Sequence, residues 1–168
     1  MTEKSHDQHP MSPITDVLAD LRATSRWQER VYKQLHAHPE LSFQENKTAA
    51  LAAAKLTELG YEVLEGIGRT GVVGVLRNGQ GRTVLARADM DALPVKENTG
   101  LPYASTLTAA DDAGETVSVA HACGHDAHVM YLLGAAELLA KARESWGGTF
   151  IALFQPAEEV ADGEGDGG

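Results

Sequence analysis

Hydrophobic periodicity predicts three helices and four strands along the chain. Apolar residues recur at helical spacing, or in alanine- and leucine-rich runs, over residues 14–37, 45–59 and 126–144. Short β-branched or continuous apolar runs of strand length cover residues 61–64, 71–76, 83–88 and 149–154. Ser42 followed by Glu45 has the pattern of a capping box, which predicts that these two side chains begin the middle helix.

The order of these elements predicts an α/β fold in which helices cover a sheet. Asn78 and Gly79 separate two strand-like runs and therefore predict a hairpin turn between them. Residues 95–118 lack periodicity and are predicted to be irregular, with residues 111–115 at a solvated loop tip.

The 168 residues are enough for one domain with a core, flanked by polar ends. We assign residues 14–160 to this domain. Residues 1–13 are polar, contain two prolines and are predicted to be a disordered tail. Residues 161–168 are acidic and glycine-rich and contain no core element.

Charge and composition exclude several classes of partner. Lys and Arg total 14 against 24 Asp and Glu, a net charge of -10, which argues against nucleic acid and anionic membranes. No stretch approaches the roughly 20 apolar residues of a membrane span, and the polar N-terminus lacks the apolar core of a signal peptide. A single cysteine cannot form an internal disulfide and fits a reducing compartment, so we expect a cytoplasmic protein.

Side chains of the metal-ligand type stand where predicted strands end or a predicted helix begins. They are Asp89 and Asp91, Cys123 and His125, and Glu158 and Glu159. Thiolate, imidazole and carboxylate groups bind zinc and similar divalent metals, and one of two adjacent glutamates can bind metal while the other takes a proton from water. Each group alone also has an ordinary explanation, such as a buried cysteine filling the core or paired glutamates on the surface.

Four segments in order resemble the motifs of a known family. They are LHAHPELS at 35–42, DMDALP at 89–94, HACGHD at 121–126 and FQPAEE at 154–159. Over roughly residues 27–160 the chain is similar to metal-dependent amidohydrolases of the metallopeptidase type, which include hippurate hydrolase, aminoacylase-like carboxypeptidases and indole-acetyl-amino-acid hydrolases. The resemblance implies a layered α/β/α, zinc-peptidase-like catalytic domain that hydrolyses the amide bond of small N-acyl amino acids through metal-activated water.

The resemblance also implies a role for five residues. Cys123, His125 and Glu159 are metal ligands, Glu158 is the general base, and Asp91 is a supporting catalytic residue close to the metal. The implied cofactor is a pair of divalent metal ions, with zinc or manganese first and cobalt or nickel also open.

The resemblance implies full-length relatives that are more than twice as long as this chain and that form homo-oligomers. The resemblance therefore implies that residues 14–160 are only the N-terminal part of the catalytic domain. It also implies that two histidine ligands and a lid and dimerisation domain are absent. We expect the 168-residue chain alone to hydrolyse acyl amino acids poorly or not at all. Two alternatives remain open, namely a truncated, inactive fragment with weak metal binding and a deacylase of N-acyl diaminopimelate.

Overall fold

The computed structural model describes residues 13–160, so most of the predicted tail and the whole acidic, glycine-rich end lie outside the described residues. The helices are α1 (Pro13–Val17), α2 (Leu21–Ala37), α3 (Asn46–Glu58) and α4 (His125–Lys141), followed by a 3-10 turn at Arg143–Ser145. The strands are β1 (Glu62–Ile67), β2 (Gly71–Asn78), β3 (Thr83–Asp89), β4 (Thr108–Ala110), β5 (Thr116–Ser118) and β6 (Gly148–Gln155). No helix within residues 13–160 is long and apolar enough to cross a membrane.

The predicted helices over 45–59 and 126–144 are confirmed as α3 and α4, but the one predicted over 14–37 is divided. The division falls between α1 and α2, where Asp20 turns toward α4 and pairs with Lys141 Nζ at 3.2 Å. Ile14 and Leu18 remain exposed, so the first apolar positions of the pattern do not reach the core.

The hairpin predicted at Asn78-Gly79 is wrong, because another strand separates the two runs that it was to join. The sheet order is β1-β2-β6-β3, with β6 antiparallel to β2 and parallel to β3. The Asn78 side-chain amide donates to the carbonyl groups of Arg143 and Trp146, at 2.7 and 2.6 Å, and so joins the end of β2 to the segment that leads into β6. A hairpin that the structure does contain joins β1 to β2, which are consecutive in the chain and pair antiparallel.

One face of this mixed sheet packs against the helices, which confirms an α/β fold. Phe150, Ala152 and Phe154 of β6 alternate toward a core that includes Leu56 of α3 and Leu133 of α4. The opposite face is apolar but only half-buried or exposed in the described residues; it carries Leu64, Val73, Val75, Leu85, Ile151 and Leu153. The described residues thus contain the sheet and one helical layer.

The region predicted to be irregular, 95–118, contains a short hairpin formed by β4 and β5. Its turn is the predicted loop tip at 111–115. The Asp111 carboxylate accepts hydrogen bonds there from the backbone N–H groups of Ala113 and Glu115. Three-residue strands are too short for a periodic pattern to reveal them.

Glu137 joins the three longer helices through a buried carboxylate. It is 4 % exposed on α4, accepts a hydrogen bond from Thr24 of α2, and pairs with Lys55 of α3 at 3.0 Å and with Lys141 at 2.9 Å. Burial raises the pKa of Glu137, but hydrogen bonds from Lys141 and Lys55 outweigh it and lower that pKa to about 2. The ionised carboxylate is therefore the form that the fold stabilises.

Replacing Glu137 by Gln should weaken this packing in a pH-dependent way. Because the folded-state pKa lies below the ordinary value of 4.5, the contribution of the charge is present above that pH and is lost as pH falls toward 2. We expect Glu137→Gln to lower the free energy of unfolding at pH 7 by roughly 1–3 kcal/mol. Urea unfolding at pH 7 and pH 3 measures this. The difference from wild type should shrink at pH 3, and an equal difference at both values would contradict the assignment. The exposed Glu144→Gln is the control.

Candidate metal centre

The predicted site residues meet at one edge of the sheet. Strands β3 and β6 are parallel neighbours, with Asp89 opposite Gln155, so the chain leaves both strands at the same edge. The loop before α4 reaches this edge through Gly124, whose φ of +82° is a left-handed conformation that favours glycine. Side chains that follow β3, precede α4 and follow β6 are thereby brought together, as is usual for sites in open α/β sheets.

The orientation of His125 leaves one ring nitrogen available to bind a metal. It is the first residue of α4 and is buried, and its Nδ1 lies 2.9 Å from the backbone oxygen of Asp91. Because a carbonyl oxygen only accepts, Nδ1 carries the proton and donates it. Nε2 then faces Glu158 Oε2 at 3.6 Å and Glu159 Oε1 at 3.8 Å.

Asp91 fixes the groups around it. It is 1 % exposed, and its Oδ2 accepts hydrogen bonds from Ser42 Oγ at 2.7 Å and from the Glu159 backbone N–H at 2.9 Å. Its Oδ1 lies 3.2 Å from His125 Nδ1. Burial raises the pKa of Asp91, but contact with His125 and hydrogen bonds from Ser42 and Glu159 lower it to about 2. Asp91 in turn raises the pKa of His125 to about 9, so without a cation Nε2 also carries a proton, which a bound metal would replace. Asp91 thus contacts both His125 and Glu159 and holds them in place.

Cys123 lies beside these carboxylates on the loop before α4. Its side chain is exposed, and the adjacent carboxylate of Glu159 raises the pKa of the thiol to about 11. The neighbouring negative charge therefore keeps the sulfur protonated until a cation is present to replace the proton.

The donor set fits a divalent cation. Glu159 Oε1 is buried and has no hydrogen-bond partner within residues 13–160, although such atoms are normally paired. His125, Glu158 and Glu159 each place one ligand atom so that the three lie within 4.8 Å of one another. A cation at this point would satisfy the unpaired oxygen and would relieve the repulsion between the adjacent carboxylates.

Asp89, His125 and His128 form a second group whose ligand atoms lie within the same distance. His128 is exposed, with Nδ1 at 3.5 Å from Asp89 Oδ2, and Asp89 is already paired with Arg87 Nε at 2.7 Å. The guanidinium neutralises Asp89, and the one free nitrogen of His125 can serve only one group. Both facts favour the group that contains Glu158 and Glu159.

The capping box predicted from Ser42 and Glu45 is wrong, because both side chains turn toward the site. Ser42 donates to Asp91, and Glu45 is fully buried with no hydrogen bond from its side chain to the start of α3. The carboxylate of Glu40 takes that place and accepts the backbone N–H groups of Lys47 and Thr48. The position of Ser42 within the first motif segment was the one sequence signal for a role in the site.

A buried network lies behind the site and was not predicted. His36 of α2 places Nδ1 at 2.7 Å from Asp126 Oδ2 and Nε2 at 3.0 Å from Glu97 Oε1. Burial lowers the pKa of His36, but hydrogen bonds to Glu97 and Asp126 outweigh it and raise that pKa. His121 is buried, and neither ring nitrogen has a hydrogen-bond partner in the described part of the chain; burial lowers its pKa to about 4.

Comparison with known proteins places the chain among metallopeptidases and amidohydrolases. It is 45% identical over 151 residues to thermostable carboxypeptidase 1 of Saccharolobus solfataricus; the match covers 89% of this chain and 36% of the relative. It is 48% identical over 136 residues to the hippurate hydrolase of Campylobacter jejuni; the match covers 80% of this chain and 33% of the relative. The chain thus spans about a third of the length of these curated relatives.

A solved structure and a family description agree with these relatives. The YXEP protein of Bacillus subtilis, described as a dinuclear metal binding peptidase from the M20 family, matches with a TM-score of 0.72 and 38% identity. The match covers 84% of this chain and 37% of that one. The description of peptidase family M20/M25/M40 matches residues 85–168, which is half of the chain and includes the segments of Asp91, Cys123, His125, Glu158 and Glu159. The chain therefore belongs to peptidase family M20/M25/M40.

Proposed function

We propose that this chain contributes the metal centre of an amidohydrolase that cleaves small N-acyl amino acids. The observation that carries the proposal is the pairing of His125 Nε2 with Glu158 and Glu159, while Asp91 holds the other ring nitrogen. A relative named hippurate hydrolase and a neighbour named as a dinuclear metal binding peptidase support the same chemistry.

In this proposal Cys123, His125 and Glu159 hold the metal. Thiolate, imidazole and carboxylate together suit zinc, and a two-ion centre with zinc, manganese, cobalt or nickel is compatible with these donors. Bound divalent ions supply a lowered pKa for water and a polarised substrate carbonyl. The protonated Nδ1 of His125 donates to the backbone oxygen of Asp91, which fixes the ring so that Nε2 is presented to the cation.

Glu158 acts as the general base in this proposal. Its side chain is 40% exposed, more than that of Glu159 at 19%, so it can reach a water molecule beside the substrate. It takes a proton as the water oxygen bonds to the acyl carbon, and it returns a proton to nitrogen as the C–N bond breaks. The products are a carboxylic acid and a free amino acid, and Glu158 ends in its starting form.

A groove beside Glu159 is the proposed place for the substrate. Its volume is about 230 Å³, and its wall combines apolar groups such as Leu41 and Leu93 with the polar Ser42 and Gln44 and with the acidic Asp111, Asp112 and Glu159. The apolar part of this wall suits the acyl group of such a substrate. We propose a small molecule as the partner and the cytoplasm as the compartment, since a cysteine that binds metal must stay reduced.

Hydrolysis of N-benzoylglycine tests this function. We expect the 168-residue chain loaded with zinc or manganese to release glycine slowly, and a chelator to stop the release. An N-acetyl amino acid and an N-acyl diaminopimelate, assayed in parallel, compare the substrate classes. A chain that binds no metal would contradict the proposal, and a chain that binds metal yet hydrolyses none of the three would favour the alternative of an inactive, metal-binding fragment.

A further inference from the structure

Glu45 is a fully buried residue whose carboxyl group reaches the segment that carries Glu158 and Glu159. It directly precedes α3 and is 0 % exposed. Its Oε1 accepts a hydrogen bond from the backbone N–H of Ala157 at 2.8 Å, and its Oε2 accepts one from Thr70 Oγ1 at 2.6 Å. Burying a carboxyl group costs free energy unless its oxygens are hydrogen-bonded, and these two contacts offset that cost.

The contact to Ala157 falls on a strained point of the backbone. Ala157 has a φ of +50°, a left-handed conformation that is unfavourable for a residue with a Cβ atom. Without the acceptor, the backbone would relax toward a more favourable conformation, and the two residues that follow would change direction. On the other side of Glu158, the N–H of Glu159 donates to Asp91 Oδ2 at 2.9 Å. The turn is thus held at both ends by buried acidic side chains.

We propose that Glu45 is a positioning residue of the metal centre. By holding Ala157 in its left-handed conformation, Glu45 sets the direction from which Glu158 and Glu159 face His125. Glu45 acts through the backbone and does not itself bind metal or substrate. The inference rests on the proposed function, because it concerns the same two carboxylates.

Variants around Glu45 separate positioning from a contribution to stability alone. Glu45→Gln keeps an oxygen for the Ala157 N–H, and its amide nitrogen can donate to Thr70 Oγ1, so the contacts are restored. Glu45→Asp is one methylene shorter and cannot reach Ala157 without movement of the backbone. Thr70→Val removes the second contact and leaves the first, and it is the matched control. If Glu45 only stabilised the fold, Thr70→Val and Glu45→Asp should change zinc affinity to a similar extent.

Two measurements decide the matter, namely zinc affinity by competition with a chromophoric chelator and amide hydrogen exchange of Ala157 by NMR. We expect Glu45→Asp to lower zinc affinity by roughly ten- to a hundredfold, as for other groups that orient metal ligands, and to speed the exchange of the Ala157 amide. Glu45→Gln and Thr70→Val should stay close to wild type in both measurements. Unchanged zinc affinity in Glu45→Asp would overturn the inference.

A double-mutant cycle shows whether Glu45 acts through Glu159. In a Glu159→Ala background, Glu45→Asp should cause little further loss of zinc affinity, whereas fully additive losses would overturn the inference. If the wild-type chain binds no zinc, the proposed function fails. The exchange measurement then decides separately on Glu45, since an Ala157 amide that exchanges equally in wild type and Glu45→Asp overturns its positioning role.

Discussion

His125→Ala should lower the zinc affinity of the chain by more than about a hundredfold, a larger loss than that caused by groups that only orient a ligand. The imidazole provides the nitrogen that faces Glu158 and Glu159, and its removal also breaks the contact with Asp91. The loss of affinity therefore has two causes, namely the missing imidazole nitrogen and the missing contact with Asp91. Isothermal titration calorimetry on the purified chain measures the effect.

His128→Ala is the matched control for this prediction. The two histidines lie on the same helix with ring centroids 5.2 Å apart, and His128 is the more exposed. If the metal binds to His125 together with Cys123 and Glu159, the loss of His128 should leave zinc affinity close to wild type. An equal loss in both variants would instead assign the metal to the group formed by Asp89, His125 and His128.

Glu158→Gln should lower the metal-dependent turnover of N-benzoylglycine by about 10²- to 10⁴-fold while zinc affinity changes little. Gln has the shape of Glu but cannot accept a proton from water at neutral pH. Because Glu158 is proposed as the base and Glu159 as the ligand, the two substitutions should affect different properties. Glu159→Gln should weaken zinc binding first and lose turnover as a consequence.

Two measurements on each glutamine variant check these separate roles. They are turnover at saturating zinc and zinc affinity. Restoration of Glu159→Gln activity by excess zinc, with no restoration of Glu158→Gln, is the expected pattern. The reverse pattern would exchange the two roles, and full activity in Glu158→Gln would remove it from the mechanism.

Local patterns predicted those elements that local interactions determine. The apolar stripe of α4 and the alanine-rich α3 follow from spacing alone, because each buries one face of a helix. Asn78-Gly79 has equally clear turn chemistry, yet the strand that pairs with both neighbours is β6, about 70 residues later. A turn signal cannot reveal a strand inserted from so far along the chain.

The candidate site was predictable in type but not in its supporting contacts. Carboxylates, a thiol and an imidazole at the ends of elements indicated a metal, since those ends converge in an α/β sheet. Ser42 and Glu45 match a helix cap in sequence, and nothing local distinguishes that role from a contact with Asp91 or Ala157. Such contacts join segments 49 and 112 residues apart and arise only when the sheet is assembled.

X-ray absorption spectroscopy of the zinc-loaded chain tests the central claim most directly, namely that Cys123, His125 and Glu159 form the metal centre. We predict a sulfur scatterer at about 2.3 Å from zinc, together with nitrogen and oxygen at about 2.0–2.2 Å. The sulfur shell should disappear in Cys123→Ser, because Cys123 is the only cysteine of the chain. A spectrum of the wild-type chain with only nitrogen and oxygen around zinc would contradict this account of the site.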